Sequence, residues 1–413
     1  MGDRRVVVTG VGAVTPLGNS VAATWDGLIS GRSGIRRISL FDATPFDSQI
    51  GGECLTFDPG EFMEHRGTKR MDRFAQLGFA AGKMACEDAE LSPSAYEPMR
   101  AGVIMGSGIG GLLELEQQHL RLLEKGPSRV SAFTIPKLMS NAATGHLSIA
   151  FNCQAVSTSV ATACASAGNA MGDAFNSIRH GDTDIMLTGG AEAALTPLGL
   201  AAFAAMKAIS TRNDDPERAS RPFDKDRDGF LLSEGAGVLI FEELEHARKR
   251  GVRIYAEVIG FGASADAGDM VQPDPEGKGA ARAMIAALRD AKLNPDQVDY
   301  INSHGTSTPL GDIAETVAIK TVFGPAASKL AVSSTKSAIG HTLGASGGIE
   351  SIVCMKTLEN NTISPTLNHE NVDPQCQGLD YVPNTARDAE VKVAMKNSFG
   401  FGGHNACLVY RKL

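Results

Sequence analysis

One cysteine in the sequence stands where a nucleophile could act. Residues 156–163 are rich in β-branched side chains, which predicts a strand, and residues 167–178 carry apolar side chains at helical spacing. Cys164 falls between the two segments. At such a turn the first N–H groups of the helix are unpaired, so they favour a thiolate and can also bind an oxyanion. A single cysteine is more often a small buried hydrophobic residue, so this assignment depends on the rest of the chain.

Two histidines and a lysine further along the chain lie in similar surroundings. His304, Lys336 and His341 are flanked by Gly, Ser or Thr residues at predicted strand-to-helix junctions. The active sites of α/β proteins gather at such junctions. Three residues of these types in one chain are harder to explain as structural side chains than any one of them alone.

Two glycine motifs resemble dinucleotide-binding sites but fail on detail. Gly10–Gly18 follows a predicted strand over Arg5–Thr9 and lacks the third glycine of the motif. Gly106–Gly111 has all three glycines, yet a second helix over Pro136–Ile149 follows where a strand ending in an acidic residue is needed. We therefore interpret the first motif as a turn, and the second as a closely packed turn that faces an apolar ligand.

Metal sites and disulfides are also poorly supported. Asp224–Gly229 begins like a calcium-binding loop, but Gly235 stands where the bidentate glutamate should be, so a charged turn before a strand is the better interpretation. The seven cysteines are scattered and contain no Cys-x-x-Cys pair. This pattern predicts neither a zinc site nor a disulfide framework, and it suits a reducing compartment.

Charge and hydropathy exclude further classes of function. The 413 residues carry a net charge of −8, which argues against general affinity for nucleic acid. The N-terminus enters a short strand-like run, and no apolar stretch reaches the length of a membrane span. We therefore expect a soluble cytoplasmic protein without a transmembrane segment.

The order of predicted elements indicates an α/β protein of two similar halves. Strands alternate with helices up to about residue 255, and the alternation then starts again. The predicted domains are residues 1–255, which carry the cysteine, and residues 256–413, which carry both histidines and the lysine.

Four motifs, in this order over the whole chain, resemble the elongating β-ketoacyl-[acyl-carrier-protein] synthases, and the synthase II type most of all. They are Thr-Ala-Cys-Ala-Ser, His-Gly-Thr-Ser-Thr-Pro-Leu-Gly-Asp, Lys-Ser-x-x-Gly-His and Asn-Ser-Phe-Gly-Phe-Gly-Gly-His-Asn. The resemblance implies a thiolase-like fold, which is a five-layered αβαβα sandwich, working as a homodimer. It also implies a decarboxylating condensation in fatty-acid elongation.

The resemblance assigns roles to the candidate residues. Cys164 takes the acyl chain as a thioester, and its backbone N–H forms an oxyanion hole with that of Phe401. His304 and His341 promote decarboxylation of the malonyl group as neutral hydrogen-bond donors. Lys336 supplies a fixed positive charge, for which Glu315 is the expected partner. Phe401 is also expected to gate the acyl pocket.

Substrate contacts follow from the same resemblance. Thr306 and Thr308 match positions that bind phosphopantetheine, Ile109 matches a position in the acyl tunnel, and Phe399 lies beside the expected gate. No cofactor is expected, because phosphopantetheine arrives on the acyl carrier protein. That partner is acidic, so a basic rim should dock it. The candidates for this rim are Lys69, Arg70, Lys125, Arg129 and Lys207.

The family resemblance also suggests a structural monovalent cation, and it leaves alternatives open. The cation would lie near Asn302, Glu350, Asn397 and Ser398. A ketosynthase of a polyketide or specialised lipid pathway would share the same motifs. A non-catalytic chain-length subunit is disfavoured because the cysteine is present, and a thiolase because a second catalytic cysteine is not evident. His404 and the segment 154–156 depart from the usual family pattern.

Overall fold

Fourteen strands and thirteen α-helices follow one another in residues 4–413, the part of the chain that this computed structural model describes. The strands are β1 (Val6–Val14), β2 (Ile35–Arg37), β3 (Ile50–Gly52), β4 (Ala101–Gly106), β5 (Ser157–Val160), β6 (Ile185–Glu192), β7 (Gly235–Glu243), β8 (Ala256–Ala265), β9 (Tyr300–Asn302), β10 (Ala331–Ser333), β11 (Thr362–Ile363), β12 (Arg387–Asp388), β13 (Val393–Gly400) and β14 (His404–Arg411). The helices are α1 (Val21–Ile29), α2 (His65–Thr68), α3 (Arg73–Asp88), α4 (Leu112–Lys125), α5 (Thr134–Leu138), α6 (Ala142–Ala150), α7 (Ser166–Arg179), α8 (Pro197–Ala205), α9 (Leu244–Arg250), α10 (Lys278–Ala291), α11 (Pro309–Phe323), α12 (Lys336–Ile339) and α13 (Ser346–Asn360).

The same five-strand arrangement occurs twice. The first half has the order β5-β4-β6-β7-β1, and the second has the order β10-β9-β13-β14-β8. Equivalent neighbours run in equivalent directions, with two parallel pairs at the outer end and two antiparallel pairs at the inner end. Three residues of β1, Val6–Val8, pair with Ala256–Val258 of β8 and join the halves. Whether each half is a separate domain stays a prediction.

Three apolar clusters define the layers. One cluster combines α7 and α13 with side chains from strands of both half-sheets, so these two helices form the middle layer. A second covers the outer face of the first half-sheet with α3, and a third covers the outer face of the second half-sheet with α10 and α11. Helix, sheet, helix, sheet and helix layers therefore follow one another, and the predicted αβαβα fold is confirmed.

Small residues let the two middle helices approach closely. A Cβ on Gly347 of α13 would lie 2.9 Å from the backbone nitrogen of Gly168 in α7. One on Gly348 would lie 2.2 Å from the carbonyl oxygen of Gly237 in β7. Both distances are shorter than real side-chain contacts, so any larger residue would force the layers apart.

The predicted turn after the first strand begins later than expected, because β1 continues to Val14 and the turn covers Thr15–Gly18, whose backbone groups exchange two hydrogen bonds of 3.0 Å. A Cβ on Gly10 would lie 2.2 Å from the carbonyl oxygen of Ala85, and one on Gly12 would lie 2.1 Å from that of Ala81. These glycines therefore mark the close packing of α3 against a strand. Glycine serves a turn and a close backbone approach equally well, and sequence alone did not separate the two.

The single helix predicted over Pro136–Ile149 is also wrong, because the chain forms α5 and α6 with a break between them. Met139 ends α5 in an extended conformation, and the N–H of Gly111 donates to the carbonyl of Leu138 at 3.0 Å. The glycine-rich loop before α4 thus fixes the chain at the break. Apolar periodicity continues across the break, which is why the pattern predicted one helix.

The charged loop at Asp224 is a turn, as predicted, and it is part of an internal network. The Asp224 carboxylate is buried, pairs with Arg221 at 2.9 Å and accepts the N–H groups of Glu370 and Asn371. Its oxygens are therefore occupied by donors from both halves of the chain.

Between residues 4 and 413, no helix is both long and apolar enough to cross a membrane. All seven cysteines are buried as free thiols.

Replacing Gly12 by alanine should destabilise the protein. The new methyl group would overlap the backbone of α3, and overpacking of this kind costs roughly 1–3 kcal/mol of the free energy of unfolding. Gly145→Ala is the matched control, since a Cβ at this helical glycine meets nothing within 4 Å. The control should leave stability unchanged or raise it by up to about 1 kcal/mol. Denaturant unfolding of both variants measures the difference, and equal stabilities would contradict the packing described for β1.

Candidate active site

Cys164 lies on a short 3₁₀ turn, Ala163–Ala165, that leads into α7. Ala163 has φ +50°, a left-handed conformation that costs a non-glycine residue energy. The Ser166 hydroxyl holds this conformation, because it donates to the carbonyl of Ala163 at 2.6 Å and accepts the N–H of Thr162 at 2.9 Å. The strained turn places the thiol ahead of the first turn of the helix.

Two backbone N–H groups surround the sulfur. The N–H groups of Phe401 and of Cys164 itself hydrogen-bond the thiol. Gly400 makes this pairing possible, because a Cβ there would lie 3.0 Å from the backbone nitrogen of Cys164 and 2.8 Å from the carbonyl oxygen of Thr162. Two backbone N–H groups that converge on one point from different segments of the chain can form an oxyanion hole.

His341 contacts the thiol directly. Its Nε2 lies 3.0 Å from the Sγ of Cys164. On the other side of the ring, Nδ1 accepts the N–H of Leu343 at 3.2 Å and lies 3.0 Å from the Ser346 hydroxyl. Because a backbone N–H can only donate, Nδ1 has to be an acceptor, and the proton of the neutral ring is on Nε2. His341 therefore donates a hydrogen bond toward the sulfur.

His304 completes the pair of imidazoles. Its ring is nearly perpendicular to that of His341, with centroids 5.4 Å apart. Glu315 holds the loop, because its carboxylate accepts the N–H groups of His304 at 2.8 Å and Gly305 at 2.7 Å. The ring nitrogen Nδ1 of His304 is buried without a hydrogen-bond partner in the described chain. The ring is thus positioned by its backbone.

Burial sets the protonation states of the three groups. It lowers the pKa of both His304 and His341 well below the usual value, and the positive charge of Lys336 lowers both further. Both rings are therefore neutral at neutral pH. Burial also raises the pKa of the Cys164 thiol to about 12, against the opposing charge of Lys336. The expected preference for the thiolate is therefore wrong for the free protein, since desolvation outweighs Lys336 and the two N–H groups that lower the thiol pKa.

Lys336 pairs with Glu350, and the expected partner Glu315 is wrong. The Lys336 ammonium contacts Oε1 of Glu350, while the ammonium of Lys396 lies 2.8 Å from Oε2 of the same carboxylate. All three side chains are about 1% exposed. The carboxylate of Glu315 instead binds the loop at His304 and the side-chain amide of Asn397. Helix α13 brings Glu350 to the lysines, and the packing of this helix could not be inferred from local sequence.

The second glycine motif binds a carboxylate of the protein itself. The buried Glu192 accepts N–H groups from Gly108 at 2.6 Å, Ile109 at 3.2 Å and Gly344 at 3.0 Å. A loop of N–H groups of this kind would suit a phosphate, but here a side chain from β6 fills it. The motif therefore fixes the loop beside Cys164, and the predicted apolar ligand does not face these N–H groups.

The thiol and both imidazoles open into one cavity of about 420 Å³. Its predominantly apolar walls suit an acyl chain and the arm that carries it. Besides Cys164, His304 and His341, five predicted site residues line it: Thr306, Thr308, Phe399, Phe401 and Lys207. After Phe401, Gly402 and Gly403 have φ of +81° and +71°, which glycine adopts without strain.

Other predicted residues lie elsewhere in the described structure. Ile109 is 41% exposed and is not part of the cavity wall that residues 4–413 form. The cavity wall in this range also does not include four of the predicted docking residues: Lys69, Arg70, Lys125 and Arg129. Arg70 stacks on Phe133, with its guanidinium carbon 5.1 Å from the ring centre.

Sequence reasoning missed two buried charged residues. Lys396 interrupts an apolar strand, and Glu192 ends another one. A lone charge in such a strand was the available signal, because charged side chains are seldom fully buried unless they are paired. The repeat of Thr-x-x-Ala-Ser-x-Gly at residues 162–168 and 342–348 was a second signal, and it matches the turns that begin α7 and α13.

Comparisons with known proteins agree with this geometry. Residues 3–247 match the family profile described as the beta-ketoacyl synthase N-terminal domain, and residues 255–370 match the corresponding C-terminal domain. A protein of Synechocystis sp. named 3-oxoacyl-[acyl-carrier-protein] synthase 2 is 49% identical over 99% of this chain and 98% of its own length. A protein of the same name from Coxiella burnetii is 48% identical over the full length of both chains.

Solved structures give the same result. A beta-ketoacyl synthase from Burkholderia phymatum is 36% identical, with a TM-score of 0.92 over 99% of this chain and all of its own. A type II polyketide ketosynthase, solved in complex with its acyl-carrier protein, is 34% identical with a TM-score of 0.93 over the full length of both chains. Matches to both domain profiles and relatives near half identity establish that the chain belongs to the beta-ketoacyl synthase family.

Proposed function

We propose that this protein condenses an acyl group held on Cys164 with a malonyl group on acyl carrier protein. The products are carbon dioxide and a 3-oxoacyl carrier protein that is two carbons longer, as in fatty-acid elongation. One observation carries the proposal: a thiol, two neutral imidazoles and two oxyanion-hole N–H groups meet at one apolar cavity. Two full-length relatives named 3-oxoacyl-[acyl-carrier-protein] synthase 2 support the choice of substrates.

The first half-reaction transfers the acyl group to the thiol. The sulfur of Cys164 attacks the thioester carbonyl of the acyl carrier, and the N–H groups of Cys164 and Phe401 bind the developing oxyanion. His341 donates through Nε2 and stabilises negative charge on the sulfur. The thiol loses its proton, and the departing phosphopantetheine sulfur gains one. The thiol pKa of about 12 means that deprotonation has to accompany the attack.

The second half-reaction makes the new carbon–carbon bond. With both imidazoles neutral, His304 and His341 donate hydrogen bonds to the malonyl thioester oxygen, where enolate charge develops as the carboxylate leaves as carbon dioxide. The enolate carbon attacks the acyl carbonyl on Cys164. The carbon–sulfur bond then breaks, and the Cys164 sulfur takes up one proton to restore the thiol.

The substrate arm enters past Thr306 and Thr308. Their hydroxyls lie 2.9 Å from each other on the cavity wall, where they can bind the amides of phosphopantetheine. Phe401 and Phe399 line the same wall and separate the thiol from the entrance in this proposal. No cofactor of the protein's own takes part.

Acyl carrier protein is the proposed partner. Lys207 is exposed, lines the cavity and carries a positive charge on an otherwise acidic protein. Lys69, Arg70, Lys125 and Arg129 extend the proposed basic rim. A related ketosynthase has been solved in complex with its own acyl-carrier protein, which supports this type of partner.

A homodimer is the proposed assembly. Strand β5 is the outer strand of the first half-sheet, and its residues Ser157 and Thr158 are exposed. The segment before this strand exposes several large apolar side chains, which favours a second copy over solvent. They are Ile109, Leu115, Leu120, Leu123, Phe133, Ile135, Met139, Ile149 and Val156. In this proposal Ile109 reaches the acyl tunnel at the dimer interface.

A polyketide or specialised lipid pathway is the second candidate. A ketosynthase solved with a type II polyketide acyl-carrier protein has a TM-score of 0.93 at 34% identity, and one described as the ishigamide ketosynthase/chain length factor has a TM-score of 0.94 at 35%. The relatives named synthase 2 reach 48–49% identity, which favours fatty-acid elongation.

The cytoplasm is the proposed site of action, because the free thiols suit a reducing compartment.

Replacing the nucleophile tests the central claim. Cys164→Ala and Cys164→Gln should lower chain extension at least about a thousandfold, because no thioester can form. The Cys86→Ala variant, which changes a buried thiol of α3, should stay active. Mass spectrometry of the carrier-bound product and of the acylated enzyme measures both steps. Extension by either Cys164 variant would contradict the proposal.

With saturated acyl carriers the product should be a single two-carbon extension, whereas repeated extension without reduction would favour the polyketide pathway.

The raised thiol pKa predicts the pH dependence of alkylation. Thiolate is the reactive form, so the rate at Cys164 should rise about tenfold per pH unit and should not level off by about pH 9, where an ordinary cysteine does. Peptide mass spectrometry after iodoacetamide treatment follows this residue, and a small cysteine peptide provides the reference. A plateau below about pH 8 would show that the thiol pKa is lowered.

Reversing the charge of Lys207 tests the docking surface. Lys207→Glu should raise the KM for acyl carrier protein about tenfold without changing kcat, because attraction is replaced by repulsion. Added salt should reduce the difference. Lys249→Glu makes the same change at an exposed lysine of α9 and should have no effect. Equal KM values for both variants would remove Lys207 from the docking surface.

A further inference from the structure

The ammonium of Lys396 is surrounded by oxygen atoms inside the protein. The side chain is 1% exposed and extends from β13. Its Nζ lies 2.6 Å from the hydroxyl of Ser398, contacts the carbonyl of Asn397 and lies 2.8 Å from Oε2 of Glu350. The ammonium donates hydrogen bonds to the carbonyl and the hydroxyl, and it forms an ion pair with the Glu350 carboxylate without a hydrogen bond to Oε2.

These oxygens belong to three of the four residues at which the family resemblance implies a monovalent cation. Carboxylate, carbonyl and hydroxyl oxygens are suitable ligands for such an ion. In this chain the ammonium already contacts all three, so the residues present do not fit an added cation. The fourth residue, Asn302, is buried, and its Oδ1 has no hydrogen-bond partner in residues 4–413.

The charges around this position balance without an ion. Glu350 faces both Lys336 and Lys396, and the carboxylate of Glu315 adds a further negative charge that acts on Lys336. Two carboxylates therefore meet two ammonium groups. An additional cation would leave an unpaired positive charge in a buried site, which is strongly unfavourable.

We infer that Lys396 acts as a built-in cation, so that the condensing site of this protein needs no monovalent metal ion. This inference rests on the proposed function only for its activity readout. Lys396 is a positioning residue, because it touches neither the thiol nor the cavity wall. It fixes Glu350, which in turn holds Lys336.

Lys396 also lies on the strand that leads to Phe401, the expected gate of the acyl pocket. Residues Asn397 and Ser398, which bind its ammonium, are followed in β13 by Phe399 and Gly400. Gly400 packs against the backbone of Cys164. The Lys396 charge acts on both catalytic imidazoles as well. Removing the ammonium should therefore disturb catalysis without removing any group that touches substrate.

Replacing the lysine by serine tests the inference, because the shorter side chain leaves room for an ion. The Lys396→Ser variant should lose activity at least about tenfold in choline chloride and regain it in potassium or sodium chloride of equal ionic strength. The loss should be in kcat with little change in KM. The melting temperature of the variant should rise with potassium concentration, since an ion that binds only the folded state stabilises it.

Two variants serve as controls. Lys396→Met fills the same space without a charge and should be inactive in every salt. Lys392→Ser changes a lysine whose side chain is 69% exposed and should behave as the wild type. If Lys396→Ser does not fold, the wild type still decides: its activity and melting temperature should be equal in potassium and choline salts.

Specific potassium or sodium dependence of the wild type would overturn the inference, and calorimetric binding of either ion to the wild type would do the same. Full activity of folded Lys396→Ser in choline chloride would also overturn it, because the charge would then be dispensable. Absence of chain extension by the wild type under all conditions would instead count against the proposed function. The melting temperatures would still test whether Lys396 replaces a monovalent ion.

Discussion

The close contact of α7 with α13 is the constraint on which the site depends. Each helix begins at a strained 3₁₀ turn, and Gly168 and Gly347 let the two helices meet with almost no side chain between them. The contact places the start of α7, with Cys164, beside the loop that carries His341. The distance of 3.0 Å between thiol and imidazole is therefore set by backbone packing across the middle layer. Mobile surface loops do not determine it.

Buried polar groups are costly unless they are paired, and the three buried carboxylates of the site all have partners. Glu192, Glu315 and Glu350 are all nearly inaccessible to solvent, and each holds a different part of the site through N–H or ammonium donors. The low polarity of the surroundings strengthens these bonds and makes any unpaired group costly. The same low polarity keeps both imidazoles neutral and the thiol protonated. Structural order and catalytic protonation states thus have one physical cause.

Local sequence patterns predicted most of the fold and singled out the principal candidate residues of the site. The strand-helix alternation predicted the two halves of the sheet, and small-residue contexts picked out Cys164, His304, Lys336 and His341 before any contact was known. Patterns failed where a residue acts on something distant in sequence. The glycines of β1 looked like a turn because α3, which they contact, lies more than sixty residues away. Glu350 was not recognised as the partner of Lys336, because that pairing depends on how α13 packs. Ile109 lies outside the cavity that a single chain forms, and local sequence does not show whether a residue faces this cavity or the protein surface.

The repeated turn at residues 162–168 and 342–348 has a consequence for how a duplicated fold becomes directional. Both copies present a backbone N–H at the equivalent position, on Cys164 in one half and on Gly344 in the other. The N–H of Gly344 donates to the carboxylate of Glu192, at 3.0 Å. That of Cys164 hydrogen-bonds the residue's own thiol, which lines the cavity. One copy has thus been closed by an internal anion, and the other stays open to a transient one. The Glu192 carboxylate thus makes the two equivalent turns different, and in the proposed function the first half holds the acyl group while the second half supplies the histidines that generate the enolate.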